Sequence, residues 1–230
     1  MWNNLNEIMT NLQYDSQVRV AIITGSGNTF SAGADLAEFL KSSAGGSVTA
    51  GRDYPVEHCL DSILNYPNPV IAMVNGYALA GGCELAIACD LRIASDNAKF
   101  GMPLAKVGIM FSYGLAQRLV NAFGITLAKE ILFTGRMIEA QRAREIGLIN
   151  EVVPPDQLRS VTMKMAKEIA ANAPLSVRGF KTMTNSCLSF WQPPVEADLD
   201  AIRSECFASD DAKEGLRAFL EKRKPVFQGR

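Results

Sequence analysis

Residues 74–90 read VNGYALAGGCELAIACD, and this segment carries more structural information than any other part of the chain. An apolar run, PVIAMVNG, predicts a buried strand that leads into two adjacent glycines and then a short apolar helix with one carboxylate, Glu84. The N-terminus of a helix has unpaired backbone N–H groups and a partial positive charge. Because Gly81 lacks a Cβ, we expect an oxygen that becomes negative during a reaction to come close enough to accept a hydrogen bond from its amide.

A second junction of the same kind precedes it. The β-branched run VRVAIITG predicts a strand, and the turn-rich segment FSAGADL then opens a short helix near Asp35. Gly33 and Ala34 stand at this junction as Gly81 stands at the other. Two such junctions can direct two amides at one oxygen, which is the arrangement that stabilises an oxyanion.

Strands and helices alternate up to residue 155, and the rest of the chain reads as helical. Predicted helices cover 3–13, 56–66, 83–90, 113–124, 126–135 and 139–147, and predicted strands cover 18–25, 69–76, 91–96, 98–102 and 148–154. Gly124 is predicted to cap the end of its helix. The small polar residues 41–53 predict a mobile loop. Four further helices are predicted at 156–172, 174–188, 195–208 and 210–225.

Composition excludes several classes of protein. The 230 residues carry a net charge of −1, which argues against a nucleic-acid-binding surface, and no apolar run is long enough to span a membrane. Since the start of the chain also lacks the pattern of a signal peptide, we expect a cytoplasmic protein. Five cysteines without a CxxC pair predict buried free thiols. The single histidine, His58, disfavours a Ser-His-Asp triad or a multi-histidine metal site.

The sequence resembles the crotonase, or enoyl-CoA hydratase/isomerase, superfamily over nearly all of its length. The resemblance rests on FSAGADL, PVIAMVNGYALAGGCELAIACD, AKFGMP, QRL, FTGRMIEAQRAREIGLINEVVP and EGLRAFLEKRKPVF, in family order. It implies an α/β spiral of ββα units at 1–155, without the family's leading strand pair, and a C-terminal helical region used in trimer assembly at 156–230. Homotrimers or homohexamers, as dimers of trimers, are the expected assemblies.

The resemblance also implies the substrate and its contacts. Ala34 and Gly81 supply the two amides that hold the oxygen of an acyl-CoA thioester, and Glu84 is the acid/base group. The remaining implied contacts are with the substrate at Ser31, Ala32, Asp35, Leu36 and Gly82, and with coenzyme A at Phe219 and Lys222. No metal or separate cofactor is implied, because coenzyme A arrives as part of the substrate. The loop at 41–53 is expected to cap the acyl pocket.

One position departs from the family pattern. The second glutamate of typical hydratases follows the proline of an FGxPE motif, and here the matching residue is Leu104. A glycine-rich segment is likewise replaced, by Phe111, Ser112 and Tyr113, which we expect to line the substrate site. Apolar neighbours such as Leu104 and Phe111 are predicted to raise the pKa of Glu84 by desolvation.

Several activities are compatible with this site. Hydration of an enoyl-CoA is the prediction, because it is the commonest activity of the family and Glu84 is retained. Decarboxylation of a malonyl-type CoA thioester is the main alternative, since it needs an oxyanion hole and an apolar pocket but no second carboxylate. Enoyl-CoA isomerisation, or a CoA- or RNA-binding role without catalysis, are the others. No membrane partner is expected.

Overall fold

The computed structural model describes residues 1–33, 55–107 and 113–187, and beyond these 209–211, 214, 218, 221 and 223–229. The helices are α1 (Trp2–Leu12), α2 (Pro55–Leu64), α3 (Gly81–Ala88), α4 (Tyr113–Phe123), α5 (Ile125–Thr134), α6 (Ala140–Glu145), α7 (Leu158–Ala170) and α8 (Pro174–Ser186), with a 3₁₀ helix at Pro103–Val107. The strands are β1 (Ala21–Thr24), β2 (Thr29–Ser31), β3 (Val70–Val74), β4 (Tyr77–Leu79), β5 (Leu91–Ser95), β6 (Lys99–Gly101), β7 (Ile138–Glu139) and β8 (Glu151–Val153).

The chain alternates between two sheets. The first sheet is parallel throughout, in the order β1-β3-β5-β8, and the second has the order β2-β4-β6-β7 with only its last pair antiparallel. Three times in succession a strand of the first sheet is followed directly by a strand of the second. After β4 the chain enters α3, and after β2 and β6 the next described helices are α2 and the 3₁₀ helix. This repetition is the spiral of ββα units that the family resemblance implied.

The centre of the spiral is apolar because its strands are covered on both faces. In β3 every residue except Met73 is buried, as expected for the middle strand of a parallel sheet. Helix α3 is also buried on nearly every side, which explains why its sequence lacks an amphipathic pattern. The core that surrounds it includes Leu60, Ile63, Phe100 and Leu115.

Helix α8 is attached to this core by polar and charged side chains. The Nζ of Lys181 lies 2.8 Å from a carboxylate oxygen of Asp90, and the same oxygen accepts the backbone N–H of Val70 at 2.7 Å. Arg178 donates its Nε to Asn68 at 2.7 Å. These contacts place α8 against the start of β3.

Several details differ from the prediction. Helix α3 begins at Gly81 rather than at residue 83, so both glycines lie in its first turn. The strands β2, β4 and β7 were missed, since two or three residues are too few to show periodicity. The N–H of Gly124 donates to the carbonyl of Val120 at the end of α4, and Gly124 is also the N-cap of α5. The predicted loop at 41–53 and the predicted helix at 195–208 lie outside the described residues.

Most of the cysteine prediction is confirmed. Cys59, Cys83 and Cys89 are buried free thiols, and burial raises the pKa of each, to about 11 for Cys59 and about 12 for the other two. They are therefore neutral packing residues near pH 7. The prediction is wrong for Cys187, which is exposed just after the last turn of α8. Among the described helices, none combines the length and apolarity needed to cross a bilayer.

Candidate active site

The N-terminus of α3 is built around an unusual backbone conformation at Ala80. This residue has φ 48° and ψ −122°, a region that costs a residue with a Cβ about 1–3 kcal/mol. Hydrogen bonds hold it there: its N–H donates to the Gly101 carbonyl at 2.9 Å, and its own carbonyl accepts the amides of Cys83 and Glu84 at 2.9 and 3.0 Å. The strain is consistent with a site where backbone direction matters more than stability.

The same turn leaves two amides open. In the part of the chain that the structure covers, the N–H groups of Gly81 and Gly82 have no protein acceptor, whereas those of Cys83 and Glu84 are satisfied by Ala80. Open amides at a helix start, with the partial positive charge of the helix behind them, bind anionic oxygens. Gly81 therefore has the amide open to an anionic oxygen that the sequence predicted for it.

The earlier glycine junction lies directly against Gly81. Gly33 has φ +93°, and a Cβ built on it would lie 3.0 Å from the Gly81 nitrogen and 3.1 Å from the Leu79 carbonyl oxygen. Its N–H is 3.3 Å from the hydroxyl oxygen of Ser31. The two junctions thus meet, as expected. Ala34, the second predicted donor, is the next residue and lies outside the described residues, so its role stays a prediction.

Gly82 permits the close approach of α3 to β2. A Cβ at this position would lie 2.0 Å from the carbonyl oxygen of Ser31, which no side chain can tolerate. Ser31 itself is buried at the end of β2, while Ala32 beside it is exposed. The second glycine of the pair is therefore needed for packing, and the first is needed for an accessible amide.

An aromatic side chain borders the same amide. The indole of Trp2, at the start of α1, has its Cζ2 atom 3.1 Å from the position of a Cβ on Gly81. Trp2 is half-buried and packs on the core. It provides an apolar wall beside the proposed oxyanion position, and nothing in the sequence pattern signalled it.

Glu84 is a buried carboxylic acid one helical turn beyond Gly81. It is 8% exposed, and desolvation raises its pKa from 4.5 to about 7. The positive charge of Arg118 opposes this rise in pKa, and the negative charge of Glu57 adds to it. A carboxyl group with a pKa near 7 exchanges a proton readily in either direction at neutral pH. The direction and the desolvation agree with the prediction, while the part assigned to Leu104 and Phe111 stays a prediction because Phe111 lies outside the described residues.

The other predicted residues are only partly placed. Leu104 is half-buried in the 3₁₀ helix and packs on the core, so this position offers no carboxylate. Tyr113 is the first residue of α4. The positions outside the described residues are Asp35, Leu36, Phe111, Ser112, Phe219 and Lys222. Arg118 and Glu57 act on Glu84, yet neither was assigned a role from the sequence, although the QRL motif contains Arg118.

The described side chains do not form a metal site. Across the described ranges, no group of three or more His, Cys, Asp or Glu side chains is arranged to hold a metal ion. The chemistry that the residues around Gly81 can perform is acid/base catalysis by Glu84 beside an anion-binding helix start.

Comparison with known proteins agrees with this geometry. The family model described as Enoyl-CoA hydratase/isomerase matches residues 1–230. The chain is 41% identical over 229 residues to a crotonyl-CoA hydratase of Syntrophomonas wolfei, covering 97% of this chain and 85% of that protein. It is 37% identical over 223 residues to a short-chain-enoyl-CoA hydratase of Clostridium acetobutylicum, covering 96% and 84%.

Solved structures give the same result. An enoyl-CoA hydratase/carnithine racemase from Magnetospirillum magneticum superposes with a TM-score of 0.93 at 35% identity, covering all of this chain and 86% of that one. An enoyl-CoA hydratase/isomerase family protein from Hyphomonas neptunium superposes with a TM-score of 0.92, also at 35% identity, with coverages of 100% and 88%. This chain belongs to the enoyl-CoA hydratase/isomerase family, within the crotonase superfamily.

Proposed function

We propose that the protein is an enoyl-CoA hydratase-type lyase that adds water to the double bond of an enoyl-CoA thioester. The observation that carries the proposal is the buried Glu84, with a pKa of about 7, one turn from the open amide of Gly81. The relatives named as hydratases support the same activity.

The reaction can proceed with one carboxyl group. The Glu84 carboxylate takes a proton from water while the water oxygen bonds to the β-carbon of the enoyl group. The electron pair of the double bond moves toward the thioester carbonyl, giving an enolate whose oxygen is held by the amides of Gly81 and Ala34. Protonated Glu84 then returns the proton to the α-carbon, and the product is the 3-hydroxyacyl-CoA.

Desolvation is what makes this cycle feasible. An exposed glutamate with a pKa near 4.5 would be a weak acceptor and, once protonated, would lose its proton to solvent. At about 7, both forms of Glu84 are populated near neutral pH. Trp2, which borders Gly81, helps to exclude water from the surrounding space.

The rest of the substrate site follows from the family resemblance. We propose that Ser31, Ala32, Asp35, Leu36 and Gly82 line the thioester and pantetheine path and that Phe219 and Lys222 contact the CoA end. Phe111, Ser112 and Tyr113 are proposed to border the acyl group. No separate cofactor is proposed.

Decarboxylation of a malonyl-type CoA thioester is the second candidate, and Leu104 is the observation that favours it. An apolar side chain at this position desolvates a substrate carboxylate, and loss of CO₂ gives the enolate without a base. Glu84 would then only deliver a proton to the α-carbon.

One experiment separates these reactions. The protein is incubated with crotonyl-CoA and, separately, with methylmalonyl-CoA, and the products are identified by mass spectrometry. Gain of water supports hydration, and loss of CO₂ supports decarboxylation. Glu84→Gln should abolish hydration, because it removes the proton acceptor, whereas the exposed Glu145→Gln should not. A fully active Glu84→Gln hydratase would refute the assigned role of Glu84.

We also propose a cytoplasmic homotrimer or dimer of trimers. The buried free thiols fit a reducing compartment, and the assembly follows from the family resemblance. Sedimentation equilibrium measures the mass of the assembly directly, and a monomer at micromolar concentration would contradict it.

A further inference from the structure

Arg118 brings a positive charge to the helix that carries Glu84. It lies in the QRL segment of α4, between Leu115 and Leu119, which are fully buried and fix this face of α4 on the core. Arg118 lines a cavity of about 530 Å³ together with Leu64 of α2 and with Ile87 and Ala88 of α3. The guanidinium therefore belongs to the space between these three helices.

Helical spacing places Glu84 on the stripe of α3 that leads to the cavity lined by Arg118. Ile87 and Ala88 follow Glu84 by three and four residues, so the three side chains share one face of the helix. Because Ile87 and Ala88 line the cavity with Arg118, the stripe that begins at Glu84 runs into that cavity.

The same reasoning applies to α2. Leu64 follows Asp61 by three residues and Glu57 by seven, so these two acids and Leu64 form one stripe. Leu64 lines the cavity beside Arg118. Two acid-bearing stripes on neighbouring helices thus lead to the cavity that Arg118 lines.

The guanidinium is not saturated by other contacts. Its Nε is buried and has no hydrogen-bond partner in the structure as described, although an unsatisfied buried donor costs about 1–3 kcal/mol. By contrast, the buried Arg92 donates to the carbonyls of Ala86, Cys89 and Leu148. These hydrogen bonds account for the burial of Arg92, whereas among the described residues no such bond to its Nε accounts for the burial of Arg118.

Charge interactions match this geometry in both directions. Burial is the largest influence on each group, raising the pKa of Glu84 and lowering that of Arg118. The next largest influence on the pKa of each group is the charge of the other. For Arg118 the charge of Glu84 outweighs those of Asp61 and Glu57, and for Glu84 the charge of Arg118 outweighs that of Glu57. The charged residue of the 3₁₀ helix, Lys106, lies against Gly135.

We propose that Arg118 is a positioning residue whose charge holds Glu84 in its carboxylate form for proton transfer from water. This inference rests on the proposed function. Burial favours the protonated form of Glu84, which cannot accept a proton. The opposing charge of Arg118 keeps enough carboxylate present for the first step, while burial keeps the acid strong enough a donor for the last.

The test replaces Arg118 by Gln and by Lys, with Arg142→Gln as control, since Arg142 is an exposed arginine of α6 paired with Glu145. Two quantities are measured for each folded variant. The first is the pH profile of kcat/KM for hydration of crotonyl-CoA. The second is the titration of Glu84 itself, from the infrared carboxyl band that disappears on Glu84→Gln in the same background.

We expect Arg118→Gln to move both the acidic limb and the infrared titration of Glu84 to higher pH by about one unit or more. This corresponds to a loss of activity of about tenfold at pH 6. Arg118→Lys should recover most of the shift, and Arg142→Gln should match the wild-type protein.

The outcomes separate the two proposals. An unshifted Glu84 titration in Arg118→Gln overturns the role of Arg118, whatever the activity. Lower activity with an unchanged pH profile also overturns it, because that is the result of a structural role alone. If the wild-type protein does not hydrate crotonyl-CoA, the proposed function fails, yet the infrared titration still decides whether Arg118 controls Glu84. Should Arg118→Gln not fold, Arg118→Lys alone is decisive: a titration displaced far from wild type despite the retained charge overturns the proposal.

Discussion

Replacing Gly82 by alanine tests whether the packing of α3 on β2 sets the position of the Gly81 amide. The added Cβ would lie 2.0 Å from the Ser31 oxygen, 2.6 Å from its carbonyl carbon and 2.7 Å from its Cβ. Real Cβ atoms do not approach closer than 3.0 Å, and two of these three atoms are backbone that cannot rotate away. Helix α3 and the end of β2 must therefore separate by about 1 Å.

The separation has two consequences of different size. Forcing an extra methyl group into a packed core costs about 1–3 kcal/mol of folding free energy. A displacement of about 1 Å at the site of reaction lowers the rate by about 100-fold, and loss of one oxyanion donor has a similar or larger effect. We expect Gly82→Ala to stay folded under mild conditions but to hydrate crotonyl-CoA about 100-fold more slowly.

Gly147→Ala is the matched control. Gly147 has φ +79°, and no atom lies within 4 Å of the position that a Cβ would take, so alanine there costs about 1–2 kcal/mol by backbone strain without touching the site. Urea unfolding measures stability and steady-state hydration measures the rate for both variants. Full activity in Gly82→Ala would refute the claim that this contact positions the amide, and so would an equal loss of rate in both variants.

Three further changes follow from the same structure. Since burial raises the pKa of Glu84 from 4.5 to about 7, the folded state binds its proton more tightly, and the unfolding free energy should fall by about 3 kcal/mol as pH rises from below 4.5 to above 7. Glu84→Gln should remove this contribution, as seen by urea unfolding at pH 5 and pH 8; an identical pH dependence in the variant would contradict it. Leu104→Glu supplies the second carboxylate of typical hydratases and should speed hydration by about 100-fold, whereas unchanged kcat would mean that position 104 does not face the substrate. Lys181→Met leaves the Asp90 carboxylate without its cation and should cost about 3 kcal/mol, against almost nothing for the exposed Lys167→Met, as measured by urea unfolding.

The long periodic elements and the glycine junctions were predictable from sequence. Helices α1, α4 and α7 have clear apolar periodicity, and β3 is an uninterrupted apolar run, so local signals were strong. The strands of the second sheet were not predictable, because a strand as short as β2 or β4 exists only through its pairing with a neighbour. Tertiary contact, not propensity, forms them.

The candidate site shows the same division. Gly81 and Glu84 were identified because a glycine pair before an apolar helix is a local pattern with a physical reason. Trp2 and Glu57 were not, since each approaches α3 from a helix distant in sequence. Arg118 was part of a recognised motif, but its influence on Glu84 emerged only from the charges that the fold brings near that carboxyl group.

The absence of a carboxylate at Leu104 changes what is required of Glu84. Where two carboxylates share the work, one accepts a proton from water and the other donates to carbon, so their pKa values can differ. A single group must do both within one turnover, and the free-energy cost of the two steps is balanced only when its pKa lies near the working pH. The packing around helix α3 buries Glu84, and this burial raises the pKa of its carboxyl group. The balance must therefore come from a positive charge, and Arg118 is the cation whose charge lowers the pKa of Glu84.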